Sequence, residues 1–440
     1  MKRYTKYKDS GVEWCDQVPI YWERKKIAYC FHQIGSGTTP TSGQSEYYEE
    51  GENNWLQTGD LNDTEIYTTS KKITDKALNT FSTLKVYPIN SLVIAMYGAT
   101  IGKMGILKIE TTTNQACCVL AGSNGVIEKF VFYWFISMRN NIISLSYGGG
   151  QPNINQDIIR NLRLQLPSIN EQTQIVTFLD QKTAIIDDLI QKKLWKIELL
   201  KDQRISIINH TVTKGLNPIV EVKESREKWL GDIPKHWNVK KLRYLGDLQN
   251  GISKDADYFG FGFPFLNYGD VYKNDVLPEE VIGLVNSSEG DRVKYSVNEG
   301  DVFFTRTSET IDDIGISSVC MKTIPDCVFS GFVIRFRKRT EEFTTGFSKY
   351  YLKSNFCKVF IENSMNLVTR ASLSQDILKS LPILLPPIKE QNEIVEYLDK
   401  KTSEIDKQVD LENRKIDLLK EYRQSLISEV VTGKIDVRTN

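Results

Sequence analysis

The chain states one long helix twice, and that repeat limits the folds open to it more than any other feature. From Gln156 it reads QDIIRNLRLQLPSINEQTQIVTFLDQKTAIIDDLIQ; from Gln375, 219 residues on, it reads QDILKSLPILLPPIKEQNEIVEYLDKKTSEIDKQVD. The likeness runs through KIELLKDQR (Lys196 to Arg204) and KIDLLKEYR (Lys415 to Arg423) and fades near Lys214 and Lys434. Ile175, Leu179, Ile186, Leu189, Ile197, Leu200 and Ile208 recur at the spacing of one apolar helical stripe. Ile394, Leu398, Ile405, Val409, Ile416, Leu419 and Leu426 repeat it. Ser168 and Glu171 form a capping-box pattern, Pro167 and Pro386-Pro387 precede the two helices, and Gly215 and Gly433 end them. A helix over 171–208 spans about 57 Å at about 1.5 Å per residue. No small domain hides such a stripe, so its natural partner is the other copy. A pseudo-twofold axis between duplicated halves makes the rods antiparallel and sets a globule at either end, as in a dumbbell.

A second echo opens each half: EWCDQVPIYWERKKIAY from Glu13 and KWLGDIPKHWNVKKLRY from Lys228. Trp14, Pro19 and Trp22 fall on Trp229, Pro234 and Trp237, an offset of 215. Between these flanks the halves hardly agree. Val93 matches Val302 at an offset of 209, so length changes gather inside the inserts. Residues 81–120 hold β-rich runs (SLVIAMYG, MGILKI, ACCVL), as do 296–337 (DVFFTRT, GISSVC, GFVIRF). Helical patches follow at EKFVFYWFISMR and TTGFSKYYLKSNFCKVFI, and short strands LRLQLP and LPILLP lead into the rods. The expected fold is α+β: two mixed α/β domains (1–166 and 218–385) separated by two long-helix regions (167–217 and 386–440) packed as an antiparallel coiled coil.

Lys plus Arg and Asp plus Glu are both 56, which argues against indiscriminate binding to phosphate backbones. Basic runs at Arg24-Lys25-Lys26, Lys240-Lys241 with Arg243, and Arg335 to Arg339 read first as solvated faces or strand edges. Seven cysteines follow no paired spacing, and the basic N-terminus lacks the apolar stretch of a secretion signal. Reduced thiols in a cytoplasmic protein are expected. No apolar run reaches the length of a membrane span. Catalytic patterns are missing. Three histidines (His32, His210, His236) stand in unrelated settings, and no phosphate-binding Gly-rich loop occurs. Neither Asn217-Pro218-Ile219-Val220 nor Leu385-Pro386-Pro387 fits an amino-methyltransferase motif. Pro325-Asp326 is not followed by the acid-x-Lys of a metal-dependent nuclease.

The phrases GVEW, VPIYW and IPKHW, GSGTTP from Gly35, MYGATIGKMGI from Met96, NQACCV from Asn114, GGGQPNIN from Gly148, and the paired LPSINEQTQIV and LPPIKEQNEIV resemble the specificity subunit of type I restriction–modification systems. The resemblance covers essentially the whole chain. It implies two target-recognition domains on two helical spacers, no catalysis by the chain itself, and a bipartite double-stranded DNA target. It also implies two methyltransferase subunits docked on the rods and two restriction/motor subunits beyond them. S-adenosylmethionine, ATP and Mg²⁺ would belong to those partners, whose assembly would methylate adenine N6 and cleave DNA with ATP. One departure is that FFTRTSETIDDIGIS, from Phe303, stands where the first half has MYGATIGKMGI, which suggests two unrelated half-sites.

Base reading calls for bidentate donors and acceptors on exposed loops. The candidates are Thr38, Thr39, Tyr97, Lys103, Gln151 and Asn153 in the first insert, and Thr305, Arg306 and Arg370 in the second. GGGQPN fits a base-contacting loop or a tight turn equally, and each Arg fits a guanine reader or a structural ion pair. Tyr258, Phe259 and Phe261 read best as core. On the rods, Lys192, Lys193, Asp202, Lys407 and Glu421 mark outward faces for docking. Two alternatives stay open: a coiled-coil adaptor with ligand-binding ends and no DNA role, and the recognition part of a fused type II restriction–methylation enzyme.

Overall fold

The structure is a computed structural model describing residues 2–12, 15–146, 153–227, 229–307, 313–365 and 372–438. The two expected rods are helices Ile169–Lys214 and Ile388–Val431, longer at both ends than the periodic core suggested. Gly215 (φ +79°) and Gly433 (φ +73°) end them in the left-handed conformation that glycine adopts without strain. The chain divides into two compact units, residues 1–193 with 413–440, and residues 194–412. Each unit therefore takes its own globule, the start of the helix that follows it, and the end of the other helix.

Within each unit the helix segments run antiparallel. In the second, Lys196 pairs with Glu412 (2.9 Å) and Arg204 with Asp406 (3.1 Å), one index rising as the other falls. In the first, Arg423 forms a two-pronged pair with Asp187 (2.9 and 3.2 Å), and Gly433 lies against Trp22 beside Glu171. Asp187 to Asp406 and Arg204 to Arg423 are both steps of 219, so the same crossing occurs once per unit. The apolar stripe is buried as expected at Ile175, Leu179, Ile186, Ile197, Leu200 and Ile208. Leu189, however, is exposed, and Ile190 takes its place facing inward. The helix keeps 3.6 residues per turn, and the position four after Ile186 holds the stripe.

The two echoes prove to be two sides of one joint. Trp22 and Trp237 are fully buried. Their indole N–H groups donate to Glu171 (3.2 Å) and Glu390 (3.1 Å), the glutamates of the helix signatures. Only half the capping box forms: Ser168 Oγ accepts the Glu171 N–H (3.3 Å), while the Glu171 carboxylate serves Trp22 and Tyr4 (2.8 Å) instead. The neighbouring glutamines are buried staples. Gln172 donates to Pro167 O and accepts from Ile127 N; Gln391 donates to Pro386 O and Glu342 O and accepts from Thr344 N. Tyr133 to Asp180 and Tyr350 to Asp399, both 2.6 Å, lock each globule's helix onto its rod in the same way.

The inserts share more than their sequences suggest. In the first unit the strands Phe31–Gly35, Cys117–Ser123, Leu92–Ala95 and Met104–Leu107 lie side by side, with Thr64–Ile66 parallel at the edge. In the second, Gly246–Asn250, Val333–Lys338, Val302–Thr305 and Ser317–Val319 follow the same order. What differs is the second sheet: three short strands in the first unit, four in the second around Phe259–Leu266. The ladders also move one correspondence by a residue. Leu92 faces Leu120 as Val302 faces Phe336, so Val302 matches Leu92 and not Val93. A one-residue slip reverses every side chain on a strand, and the buried face decides the register.

Candidate DNA interface

At one end of the strands of each main sheet three segments converge. In the first unit Met96 O accepts from Ile154 N (2.8 Å), Tyr97 bridges Asn153, and Gln156 Nε2 donates to Ser36 Oγ (2.8 Å). In the second, Arg306 O accepts from Leu373 N (2.8 Å), Thr307 bridges Ser372, and Gln375 Nε2 donates to Asn250 Oδ1 (3.0 Å). Both hairpins close on a left-handed glycine, Gly102 and Gly315, each at φ +75°. A Cβ at Gly315 would stand 2.7 Å from Ile361 and one at Gly102 3.1 Å from Arg139. Glycine thus lets each hairpin lie on the helix behind it. Arg139 fixes the first hairpin through Gly102 O (3.0 Å) and Asp63 (2.5 Å).

The expected site residues are placed unevenly on this scaffold. Tyr97 (half-buried) and Asn153 (exposed) are brought together, and Lys103 follows the hairpin glycine. Thr39 is exposed and donates to Gln115 Oε1 (2.6 Å), one residue before the Ala116 carbonyl that holds Met96 N (2.8 Å). Thr38 is half-buried, and its carbonyl accepts from Trp55 Nε1 (3.2 Å). Arg306 is half-buried and donates to Gly331 O (3.3 Å). Gln151 and Arg370 lie outside the described residues.

Thr305 requires correction as a base reader. It is fully buried, and its hydroxyl donates to Asp313 O (2.8 Å) and accepts from Ile316 N (2.9 Å), closing the foot of the hairpin. Its role is to position Arg306 and Thr307. Residues not singled out from sequence are Ser36, Gln115, Thr307, Ser372 and Phe332; Ser36 and Thr307 lie just after a core strand, Gln115 and Phe332 just before one, and Ser372 just before a short helix. Tyr258, Phe259 and Phe261 are not core as expected. They are 42%, 39% and 52% exposed, Tyr258 at the end of a short 3-10 turn and the two phenylalanines at the start of the strand Phe259–Leu266, whose Gly260 and Gly262 have positive φ.

The basic runs are committed inside the units: Arg24 to Gly11 O, Lys25 to Asn124 O, Arg337 to Asp301, Arg339 to Asp247. All seven cysteines are unpaired and buried, and burial pushes the Cys118 thiol up to about 12. Among the described residues no group of three or more His, Cys, Asp or Glu is placed to hold a metal, and no helix is long and apolar enough to cross a membrane.

Comparison with known proteins agrees with this duplicated plan. Residues 19–199 and 234–421 match the family described as type I restriction modification DNA specificity domain. The chain is 25% identical to the EcoKI specificity subunit of Escherichia coli strain K12, over 87% of this chain and 81% of that protein. It is 24% identical to the MjaVIII specificity subunit of Methanocaldococcus jannaschii, over 77% and 76%. Among solved structures, a chain of a type I R-M system superposes with a TM-score of 0.72 at 16% identity, covering 95% of this chain and 99% of that one. The HsdS subunit from Thermoanaerobacter tengcongensis gives 0.54, also at 16%, over 95% and 98%. With two matches that together take in most of its length, the chain belongs to the type I restriction–modification DNA specificity family.

Proposed function

We propose that this chain reads a bipartite, asymmetric double-stranded DNA target for a type I restriction–modification complex, one unit to each half-site. The observation that carries this reading is the shared sheet order with different residues at the same strand ends: Tyr97 and Asn153 in one unit, Thr307 and Ser372 in the other. Rigid strands hold the loops, and loop chemistry sets the sequence read. Thr39, Gln115, Asn153 and Arg306 are the proposed base or phosphate contacts, with Lys103, Tyr97 and Thr38 at the rim and Gln151 and Arg370 retained from the sequence.

Two methyltransferase subunits would dock on the long helices and carry two motor–nuclease subunits. Apolar side chains turned away from the buried stripe support this: Leu194, Trp195 (68% exposed) and Leu199 in the second unit, Leu418 and Tyr422 in the first. S-adenosylmethionine, ATP and Mg²⁺ belong to those partners in this reading, and adenine-N6 methylation and cleavage are the partners' chemistry, performed inside the cell. The test is long-read mapping of adenine methylation in the host with and without the gene. A bipartite methylated motif that disappears on deletion is expected; an unchanged methylome refutes the reading.

A further inference from the structure

The two candidate interfaces differ at the turn that leads into the second strand of each main sheet. In the second unit the turn before Val333–Lys338 carries Phe332, whose ring is 63% exposed. In the first unit the residue whose carbonyl makes the equivalent bond is Ala116, which is buried. Phe332 does not stand on a loose loop. Its carbonyl accepts from Arg306 N (3.0 Å), its N–H donates to Ser330 Oγ (3.2 Å), and Gly331 N donates to Ile252 O (2.8 Å). At Gly251 a Cβ would lie 2.2 Å from Phe329 O, so a neighbouring strand end crosses directly beneath the turn. Among the described residues, Arg306 donates to Gly331 O beside the ring, the Ser253 hydroxyl would meet a Cβ at Gly331 at 2.6 Å, and Thr307, next to Arg306, bridges Ser372.

A single rigid aromatic ring in a polar, cationic setting offers too little apolar area to dock a protein, but it has the dimensions of one base step. We propose that Phe332 is a specificity-determining wedge, entering a DNA groove against one base step of the second unit's half-site and bending the duplex there. Arg306, fixed to the same turn, lies where it can neutralise the adjacent backbone or read a neighbouring guanine. Bending cost depends on the step being deformed, so the wedge selects sequence without a hydrogen bond to it. The first unit, with Ala116 at this position, reads its half-site without such a wedge.

This inference rests on the DNA-reading function proposed above. The test uses the full chain assembled with its methyltransferase partner and a duplex carrying the mapped motif, end-labelled for energy transfer. Wild type bends the duplex. Phe332→Ala is expected to bind about tenfold more weakly, as loss of one base–aromatic contact implies, and to leave the duplex straight. Phe332→Leu should keep most of both. Because the ring is exposed, the alanine variant folds, which unchanged thermal unfolding verifies. Binding and bending by Phe332→Ala within twofold of wild type overturn the wedge alone. A wild-type complex with no preference for the motif over a scrambled duplex overturns the wedge and the DNA-reading function together.

Discussion

The buried glutamines that start the two long helices give the sharpest test of how the globules are held. Gln391 is fully buried, and its amide serves three backbone groups: Thr344 N (3.0 Å), Glu342 O (2.7 Å) and Pro386 O (2.9 Å). Gln172 serves two, Ile127 N (2.8 Å) and Pro167 O (2.9 Å). Leucine fills nearly the same volume and offers no hydrogen bond, so each substitution orphans those groups in a dry site. At about 1 kcal/mol for each buried group left unpaired, Gln391→Leu should destabilise its unit by about 3 kcal/mol and Gln172→Leu by about 2 kcal/mol. The chain has two units and need not unfold in one step, so hydrogen exchange at single amides is the appropriate assay. The Thr344 amide in Gln391→Leu and the Ile127 amide in Gln172→Leu should exchange more than tenfold faster, 1.4 kcal/mol being a factor of ten. Exchange within twofold of wild type at both amides would refute the idea that these glutamines staple globule to rod.

Further outcomes follow from the same geometry. Gly433→Ala should destabilise its unit by about 3 kcal/mol, read by hydrogen exchange within that unit, because its φ is +73° and the new Cβ would meet Pro19 at 2.4 Å. Gly231→Ala, at φ +63° but facing open space, should cost only about 1 kcal/mol. Hydrogen bonds from Arg438 hold the Asp436 carboxyl below its ordinary value of 3.8, so its contribution is complete above that value and is lost as pH falls through the depressed one. Proteolysis of the C-terminal segment should therefore accelerate only below about pH 4, and Asp436→Asn should remove that pH dependence. Charge reversal of Lys192, Lys193, Asp202, Lys407 and Glu421 together should abolish co-purification of methyltransferase subunits while leaving the circular dichroism unchanged; normal assembly would refute docking on these faces. Arg306→Ala should make the methylated motif degenerate at one position, weakening discrimination there by about 1–3 kcal/mol; an unchanged motif would remove Arg306 from the readers.

Much of the frame was legible because helical periodicity and duplication are local signals. The inward stripe, the glycine stops and the strands leading into each rod all appear where spacing placed them, with Leu189 and Ile190 exchanged. The echoes around Trp22 and Trp237 were visible as repeats, yet their purpose was not. It is set by an indole meeting Glu171 or Glu390 across some 150 residues of chain, a distance no local pattern spans. Site residues were harder still. Thr305 and Arg306 are neighbours in a polar run, but Thr305 ends a strand buried on both faces while Arg306 lies just past it and is only half-buried, and the ladder to Val333 fixes where that strand stops.

The sequence alone determined that two copies of one helical frame exist, that their stripes need apolar partners, and that the segments between them differ in residues and length. Tertiary structure decided that those segments share one sheet order, that each unit borrows the end of the other unit's helix, and that Phe332 stands exposed where Ala116 is buried. The physical reason is range: a stripe or a cap is written within a few turns, whereas register, burial and exposure depend on which distant strand supplies the hydrogen bonds.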